Sequence, residues 1–227
     1  MLSFTASCIS NSHALKGANQ DNLLFSGQIL PEANGGLSGV PTAKFNQDTP
    51  FLAAVFDGQG SAGAKAACFA AGAFRAVSSK LTGEADLSAL LAELHNEFSE
   101  KAPADTGVSA LAVLVSGDRL CMAAYGSCRA YLFRNRALYV LTHSEGQTLL
   151  GVSSAGKPEP YVLSGGLQHG DQLLLCTDGL YSVLSDPTIL RILATESGSA
   201  AFLQKLRDSA LEAGAADSIT AIALRFD

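Results

Sequence analysis

The chain has 227 residues, enough for one layered domain with a sizeable core and short of what two comfortable ones need. An apolar fraction of 48% with 16% charged residues excludes a disordered or coiled-coil chain. A formal charge of −6 without any basic block argues against a nucleic-acid partner or an anionic membrane surface.

Residues 2–10 and 21–30 alternate loosely and read as strands, separated by a polar turn over 11–19. Residues 31–48, rich in Gly, Pro and Asn, read as a loop. The apolar run 51–56 reads as a strand buried on both faces, stopping at Asp57-Gly58. An Ala-rich helix is expected over 64–81, and a second over 85–101 with Leu87, Leu90, Leu91, Leu94 and Phe98 as its core stripe and His95 on its surface. The period then changes. Runs 108–115 and 120–125 meet at Ser116-Gly117-Asp118 as a hairpin, and 129–134 with 137–142 form another around Asn135. A loop leads to a buried strand over 172–176 that ends at Thr177-Asp178-Gly179. Residues 187–194 and 199–213 read as helices and 219–226 as a last strand. Hairpin-linked strands with clustered helices predict α+β layers, in one domain spanning 1–227, rather than a repeating βαβ sheet.

Cys8, Cys68, Cys121, Cys128 and Cys176 stand singly among apolar residues, with no C-x-x-C pair. Buried free thiols in a reducing cytoplasm explain this pattern better than disulfides or a zinc site. No basic-then-apolar leader opens the chain, and no apolar stretch approaches the ~20 residues of a bilayer span, so a soluble cytoplasmic protein without a membrane partner is expected.

Two patterns compete for the chemistry. Gly58-x-Gly60-x-x-Gly63 follows a strand and opens a helix, as a dinucleotide fingerprint does. That helix leads into another helix instead of an acid-bearing parallel strand, and Ala64 stands where a phosphate-binding loop needs lysine, so both nucleotide readings fail. The second pattern is the placing of aspartates. Asp57 and Asp178 end buried strands, each followed by Gly, while Asp21 and Asp217 flank two more. Four carboxylates brought together repel unless cations sit among them, and hard oxygen ligands select Mg²⁺ or Mn²⁺. Spacing alone equally permits each Asp-Gly to be a simple turn.

The ordered blocks Lys16-x-x-Asn19-Gln20-Asp21, Val55-Phe56-Asp57-Gly58-Gln59-Gly60, Gly126-Ser127-Cys128-Arg129-Ala130-Tyr131, Leu141-Thr142, Gly170-Asp171-x-Leu173-Leu174-Leu175-Cys176-Thr177-Asp178-Gly179-Leu180 and Asp217-Ser218-Ile219-Thr220 resemble the metal-dependent protein phosphatase 2C (PP2C) family, in its short bacterial form. The resemblance runs from about residue 3 to 226. It implies a four-layer αββα sandwich with two central antiparallel sheets, and a serine/threonine phosphatase that uses Mn²⁺ or Mg²⁺ in signalling opposite a Ser/Thr kinase. On that resemblance Asp57 bridges two metals, the Gly58 carbonyl binds one of them, Asp178 and Asp217 ligate the other, and Asp21 holds a metal-bound water. A water bridging the metals would attack the phosphorus of phosphoserine or phosphothreonine in phosphorylated proteins.

The chain also departs from that pattern. Lys16 replaces the family's phosphate-gripping arginine and loses its bidentate fork. Gln59 stands where many members carry a general-acid histidine. Ser127 replaces an aspartate that helps hold a third metal, so a two-ion site is expected; Ser144 and Glu145 replace an Asp-His pair, and Ser218 an asparagine. The alternative reading is therefore a degenerate PP2C domain with little turnover, serving a binding or regulatory role. Arg129 is expected to be mainly structural, and His13, His143 and His169 receive no role.

Overall fold

A computed structural model describes residues 3–12, 18–46, 49–142, 148–152 and 159–227. Among these residues the strands form two six-stranded sheets, antiparallel throughout. The first runs in the order β4 (Thr42–Asn46), β1 (Ser3–Asn11), β12 (Ile219–Phe226), β11 (Gln172–Cys176), β8 (Arg129–Arg134), β9 (Ala137–Val140). The second runs β10 (Tyr161–Gly166), β7 (Arg119–Tyr125), β6 (Gly107–Ser116), β5 (Phe51–Gln59), β2 (Asp21–Phe25), β3 (Gln28–Ile29). Helices α1 (Gly63–Val77) and α2 (Glu84–Lys101) cover the second sheet, and α3 (Asp178–Tyr181), α4 (Asp186–Thr195) and α5 (Ser199–Glu212) cover the first. This is the αββα sandwich.

The central strands are apolar at nearly every position because each faces two cores. Successive side chains of a strand point to opposite faces. In β5, Phe51, Ala53 and Val55 enter the core between the sheets, while Leu52, Ala54 and Phe56 meet the helices. In β12, Ile222, Leu224 and Phe226 face the inter-sheet core, while Ile219, Ala221 and Ala223 pack on the other helical layer. Small residues on the helix-facing side, Ala54, Ala110 and Ala112, meet Ala66, Ala67, Ala70 and Ala71 of α1, which lets that helix lie close to the sheet.

Several local expectations change. The run 21–30 is a hairpin, because Ser26 and Gly27 both have positive φ (51° and 74°) and form a two-residue turn matched to strand twist. The segment read as a loop, 31–48, contains edge strand β4, and the loop after Thr142 contains edge strand β10. The first helix stops at Val77 and continues as a 3-10 turn, Ser78–Lys80. His95 is buried, stacked on Tyr125 with ring centroids 5.5 Å apart and capped by the Gly151 amide, rather than on the surface. All five cysteines are free; Cys8, Cys128 and Cys176 are buried, whereas Cys68 and Cys121 are half-buried. Lys16, His13, His143, Ser144 and Glu145 lie outside the described residues. Among the described residues no helix is long and apolar enough to cross a membrane.

Candidate active site

The register of the strands decides which acids meet. Asp21 opens β2 directly opposite Asp57 near the end of β5, and Asp57 in turn lies opposite Ser109 of β6. At the same end of the facing sheet, β11 finishes at Cys176, followed by Thr177 and then Asp178 at the start of α3, while Asp217 stands two residues before β12. The Thr177 amide continues the β11–β12 ladder onto the Thr220 carbonyl at 3.0 Å. Its hydroxyl then crosses to the other sheet and donates to Asp21 Oδ2 at 2.8 Å. The Ser127 hydroxyl donates to Asp178 Oδ2 at 3.3 Å. Thus both sheets deliver carboxylates to one end of the sandwich and are tied together there by hydroxyls.

The glycines after Asp57 and Asp178 serve close backbone approach. A β-carbon at Gly58 would stand 2.0 Å from the Gly63 carbonyl oxygen and 2.9 Å from that of Gln20. The Gly58 amide donates to the Gln20 carbonyl at 3.1 Å, which locks the end of β5 onto the residue preceding Asp21. A β-carbon at Gly179 would stand 1.9 Å from the Ser218 carbonyl oxygen, so Gly179 seats Asp178 against the stretch that carries Asp217. The fingerprint-like Gly58 and Gly63 are therefore packed on each other, which accounts for their spacing without any nucleotide.

Electrostatics report the same convergence. Asp21 is 2% exposed and Asp57 6%, while Asp178 and Asp217 are half-buried. Burial, then the neighbouring Asp57, and more weakly Asp217, push the Asp21 carboxyl well above the usual carboxylate range; hydroxyl hydrogen bonds from Thr177 and Thr220 oppose this. The Cys128 thiol is pushed up by burial and then by Asp57, Asp21 and Asp178, so it senses three of the four acids at once. Of the expected site residues, Asp21, Asp57, Gly58, Asp178 and Asp217 are brought to one end of the sandwich, and Lys16 lies outside the described residues.

Among the described residues, no three His, Cys, Asp and Glu side chains already stand as a finished metal cage. The carboxylates are engaged by neutral donors: Thr177 on Asp21, Ser127 on Asp178, the Gln59 amide on Asp57 Oδ2 at 3.5 Å, and the Ser218 amide on Asp217 Oδ1 at 2.8 Å. The chemistry of the donor set nonetheless fits a hard divalent cation. It is all oxygen, its acids repel one another, and the neighbouring Ser218 hydroxyl is buried without a partner among the described residues.

Several residues that support the acids carry no signal of that role in their local sequence. Thr177 and Thr220 flank Asp178 and Asp217 in sequence, but the bond from Thr177 to Asp21 spans 156 positions. Ser109 is a lone hydroxyl in the apolar run of β6, a buried polar residue that needs a partner, and this was the signal available in the sequence. Asn19 donates to Ser10 Oγ at 2.9 Å and accepts from the Asp21 amide at 3.0 Å, which fixes the entry to β2.

Comparison with known proteins gives a consistent picture. A sequence model of the family described as Stage II sporulation protein E (SpoIIE) matches residues 47–227. The serine/threonine protein phosphatase PstP of Mycobacterium tuberculosis is 27% identical over 138 residues, spanning 51% of this chain and 27% of that longer protein. Among solved structures, the serine/threonine phosphatase from S. agalactiae superposes with a TM-score of 0.79 at 20% identity, covering 98% of this chain and 99% of that one. The PstP catalytic domain, solved in complex with two manganese ions, superposes at 0.77 and 21% identity over 100% and 99% of the two chains. PppA of Pseudomonas aeruginosa superposes at 0.76 and 19% identity over 99% and 98%. At these identities the structural likeness is one of fold, and the fold is that of the PP2C-type phosphatases.

Proposed function

The chain belongs to the SpoIIE family of PP2C-type phosphatase domains, and on that premise we propose that it hydrolyses phosphoserine and phosphothreonine in protein substrates, using divalent metal ions held by its acidic cluster. The observation that carries this reading is the meeting of Asp21, Asp57, Asp178 and Asp217 at one end of the two sheets, tied by Thr177 and Ser127.

In this reading Asp57, the Gly58 carbonyl, Asp178 and Asp217 are the groups that would hold the divalent ions. Such ions would supply positive charge at the phosphoryl oxygens and a lowered pKa for an attacking water. The side chains around the acids do the positioning. Hydrogen bonds from Thr177, Ser127 and Gln59 fix the orientation of the carboxylates, and the Thr177 bond works against the burial and the Asp57 charge that push the Asp21 carboxyl up. Asp21, deep beside Asp57, holds a water in place. Gln59 carries no transferable proton, so protonation of the leaving seryl or threonyl oxygen falls to water. Lys16 is assigned the phosphate contact on the sequence resemblance alone, as a point charge. The donor set suits Mn²⁺ and Mg²⁺ alike, and manganese is the first ion to test because the PstP catalytic domain holds two. The substrates would be the products of a Ser/Thr kinase.

The test is hydrolysis of p-nitrophenyl phosphate and of a phosphothreonine peptide by the purified chain. Turnover is expected with Mn²⁺, is lost in EDTA, and falls by roughly 100-fold or more in Asp178→Ala and Asp217→Ala, beyond the range seen for outer-shell partners of metal sites. No metal-dependent turnover refutes the enzyme. One feature favours a second reading, a domain that binds phosphoprotein with little turnover: the neutral Ser127 occupies the position of a family aspartate and bonds to Asp178. Mn²⁺ binding and phosphopeptide binding without hydrolysis is the result this second reading requires.

A further inference from the structure

Beside the acidic cluster, three residues to which the reaction gives no role form one connected unit. The Arg129 guanidinium donates to the Tyr131 hydroxyl at 3.3 Å and lies 3.9 Å from Asp186 Oδ1, while the Tyr131 hydroxyl donates to the same carboxylate at 3.1 Å. Tyr131 is fully buried, so this guanidinium is a platform fixed to β8 and to the start of α4. The Tyr181 ring sits on that platform, with the guanidinium carbon 3.9 Å from the ring centre. Tyr181 is three residues past Asp178, and its hydroxyl reaches back to donate to the Ser127 carbonyl at 2.5 Å. The Ser127 hydroxyl then donates to Asp178, which closes a loop through the chain itself.

Proton counting assigns the rest. A serine hydroxyl has one proton to give, and here it goes to Asp178. Ser109 therefore donates to Ser127 Oγ at 3.0 Å while accepting the Ser127 amide at 3.2 Å. A β-carbon at Gly126 would stand 2.6 Å from Ser109 Oγ, so the turn at 126–127 can approach Ser109 only because residue 126 has no side chain. Ser127 is held at its amide and hydroxyl by Ser109 and at its carbonyl by Tyr181.

We propose that Tyr181 is a positioning residue: by holding the Ser127 carbonyl it keeps the Ser127 hydroxyl on Asp178 and so prepares that carboxylate to bind a metal ion. The claim rests on the reading above, that Asp178 holds an ion. The Ser127 to Asp178 contact, at 3.3 Å, already lies past the roughly 2.5–3.0 Å of ordinary O–H···O hydrogen bonds and only a few tenths of an ångström short of the roughly 3.6 Å at which none remains. A turn freed by a few tenths of an ångström loses it.

The experiment is calorimetric titration of the full chain with Mn²⁺, alongside thermal melts, for the wild type, Tyr181→Phe, Ser127→Ala, the double variant and Asp178→Ala. Tyr181→Phe keeps the ring on Arg129 and removes only the hydroxyl. Each single change at Tyr181 or Ser127 is expected to weaken Mn²⁺ binding by about three- to tenfold, the worth of one hydrogen bond. The double variant should bind Mn²⁺ no more weakly than Ser127→Ala, because no hydroxyl remains to be positioned, whereas the melting temperature lost with Tyr181→Phe should be the same in both backgrounds. An equal loss of Mn²⁺ affinity in both backgrounds, or none in Tyr181→Phe, overturns the proposal. If Asp178→Ala loses Mn²⁺ while Tyr181→Phe does not, the positioning role alone fails; if Asp178→Ala binds Mn²⁺ as the wild type does, the metal reading fails and the positioning role with it.

Discussion

Gly179→Ala probes directly how the fold brings two distant acids together. A β-carbon at that position would lie 1.9 Å from the Ser218 carbonyl oxygen, and real β-carbons do not come within 3.0 Å of such a neighbour. Both partners are backbone, so α3 and the 217–218 stretch must part by about 1.1 Å, an overpacking that costs about 1–3 kcal/mol. For a chain of this size each kcal/mol lowers the melting temperature by about 2–4 °C, so a loss of roughly 2–12 °C is expected. The displacement falls between Asp178 and Asp217, and a misplacement of about 1 Å in a reacting constellation can cost about 100-fold in rate. The assays are a thermal melt and Mn²⁺-dependent kcat/KM on p-nitrophenyl phosphate, with Gly72→Ala as control. Gly72 lies inside α1 with open space around it, so alanine there should stabilise by about 0.5–1 kcal/mol and leave kcat/KM unchanged. Wild-type melting and turnover in Gly179→Ala would refute the argument that this backbone contact sets the spacing of Asp178 and Asp217.

Two further outcomes test the frame around the site. Arg134 holds the buried Asp171 bidentately at 2.8 and 2.6 Å, so Arg134→Ala removes its ion-pair partner, leaves it the Gln168 amide at 2.7 Å, and should cost about 2–4 kcal/mol in urea unfolding; a loss within the range of a surface pair, below about 1 kcal/mol, would contradict it. Burial holds the His95 imidazole below its usual range, with the Leu149 backbone opposing, so the unfolded chain takes up the proton first as pH falls. Its contribution to stability is fully present above the unfolded value of about 6.5 and is lost as pH falls through the lower folded value. Melts between pH 7.5 and 5.5 should show His95→Gln with a shallower acid slope than the wild type, and equal slopes would rule the effect out.

The features legible along the chain are those with local causes. Strands β5 to β8, β11 and β12 and helices α1, α2, α4 and α5 stand out by periodicity, to within a few residues. The hairpin at Asn135 shows in its turn chemistry, with Asn135 and Arg136 both at positive φ. The strands that escaped, β4 and β10, are edge strands. In β4 only alternate residues are partly covered, and β10 ends in Gly165 and Gly166, so each owes its extended form to a neighbour, β1 or β7, that lies far away in sequence. His95 looked like a surface residue because the groups that cover it, Tyr125 and the 148–152 stretch, come from outside its helix.

The candidate site divides the same way. Sequence alone marked four aspartates beside apolar strands, and the order of the surrounding blocks pointed to the family and to the metal-holding roles proposed for those acids. It could not place Asp21 across from Asp57, join Thr177 to Asp21, turn the Ser127 hydroxyl toward Asp178 or bring the Tyr181 hydroxyl to the Ser127 carbonyl, because strand pairing and sheet stacking are chosen by the burial of whole faces rather than by any residue's neighbours along the chain. Side-chain period is a local property and can be read from a few residues. Which distant carboxylates come to share one end of the sandwich is decided only when both sheets close over the inter-sheet core, and that closure draws on nearly every strand at once.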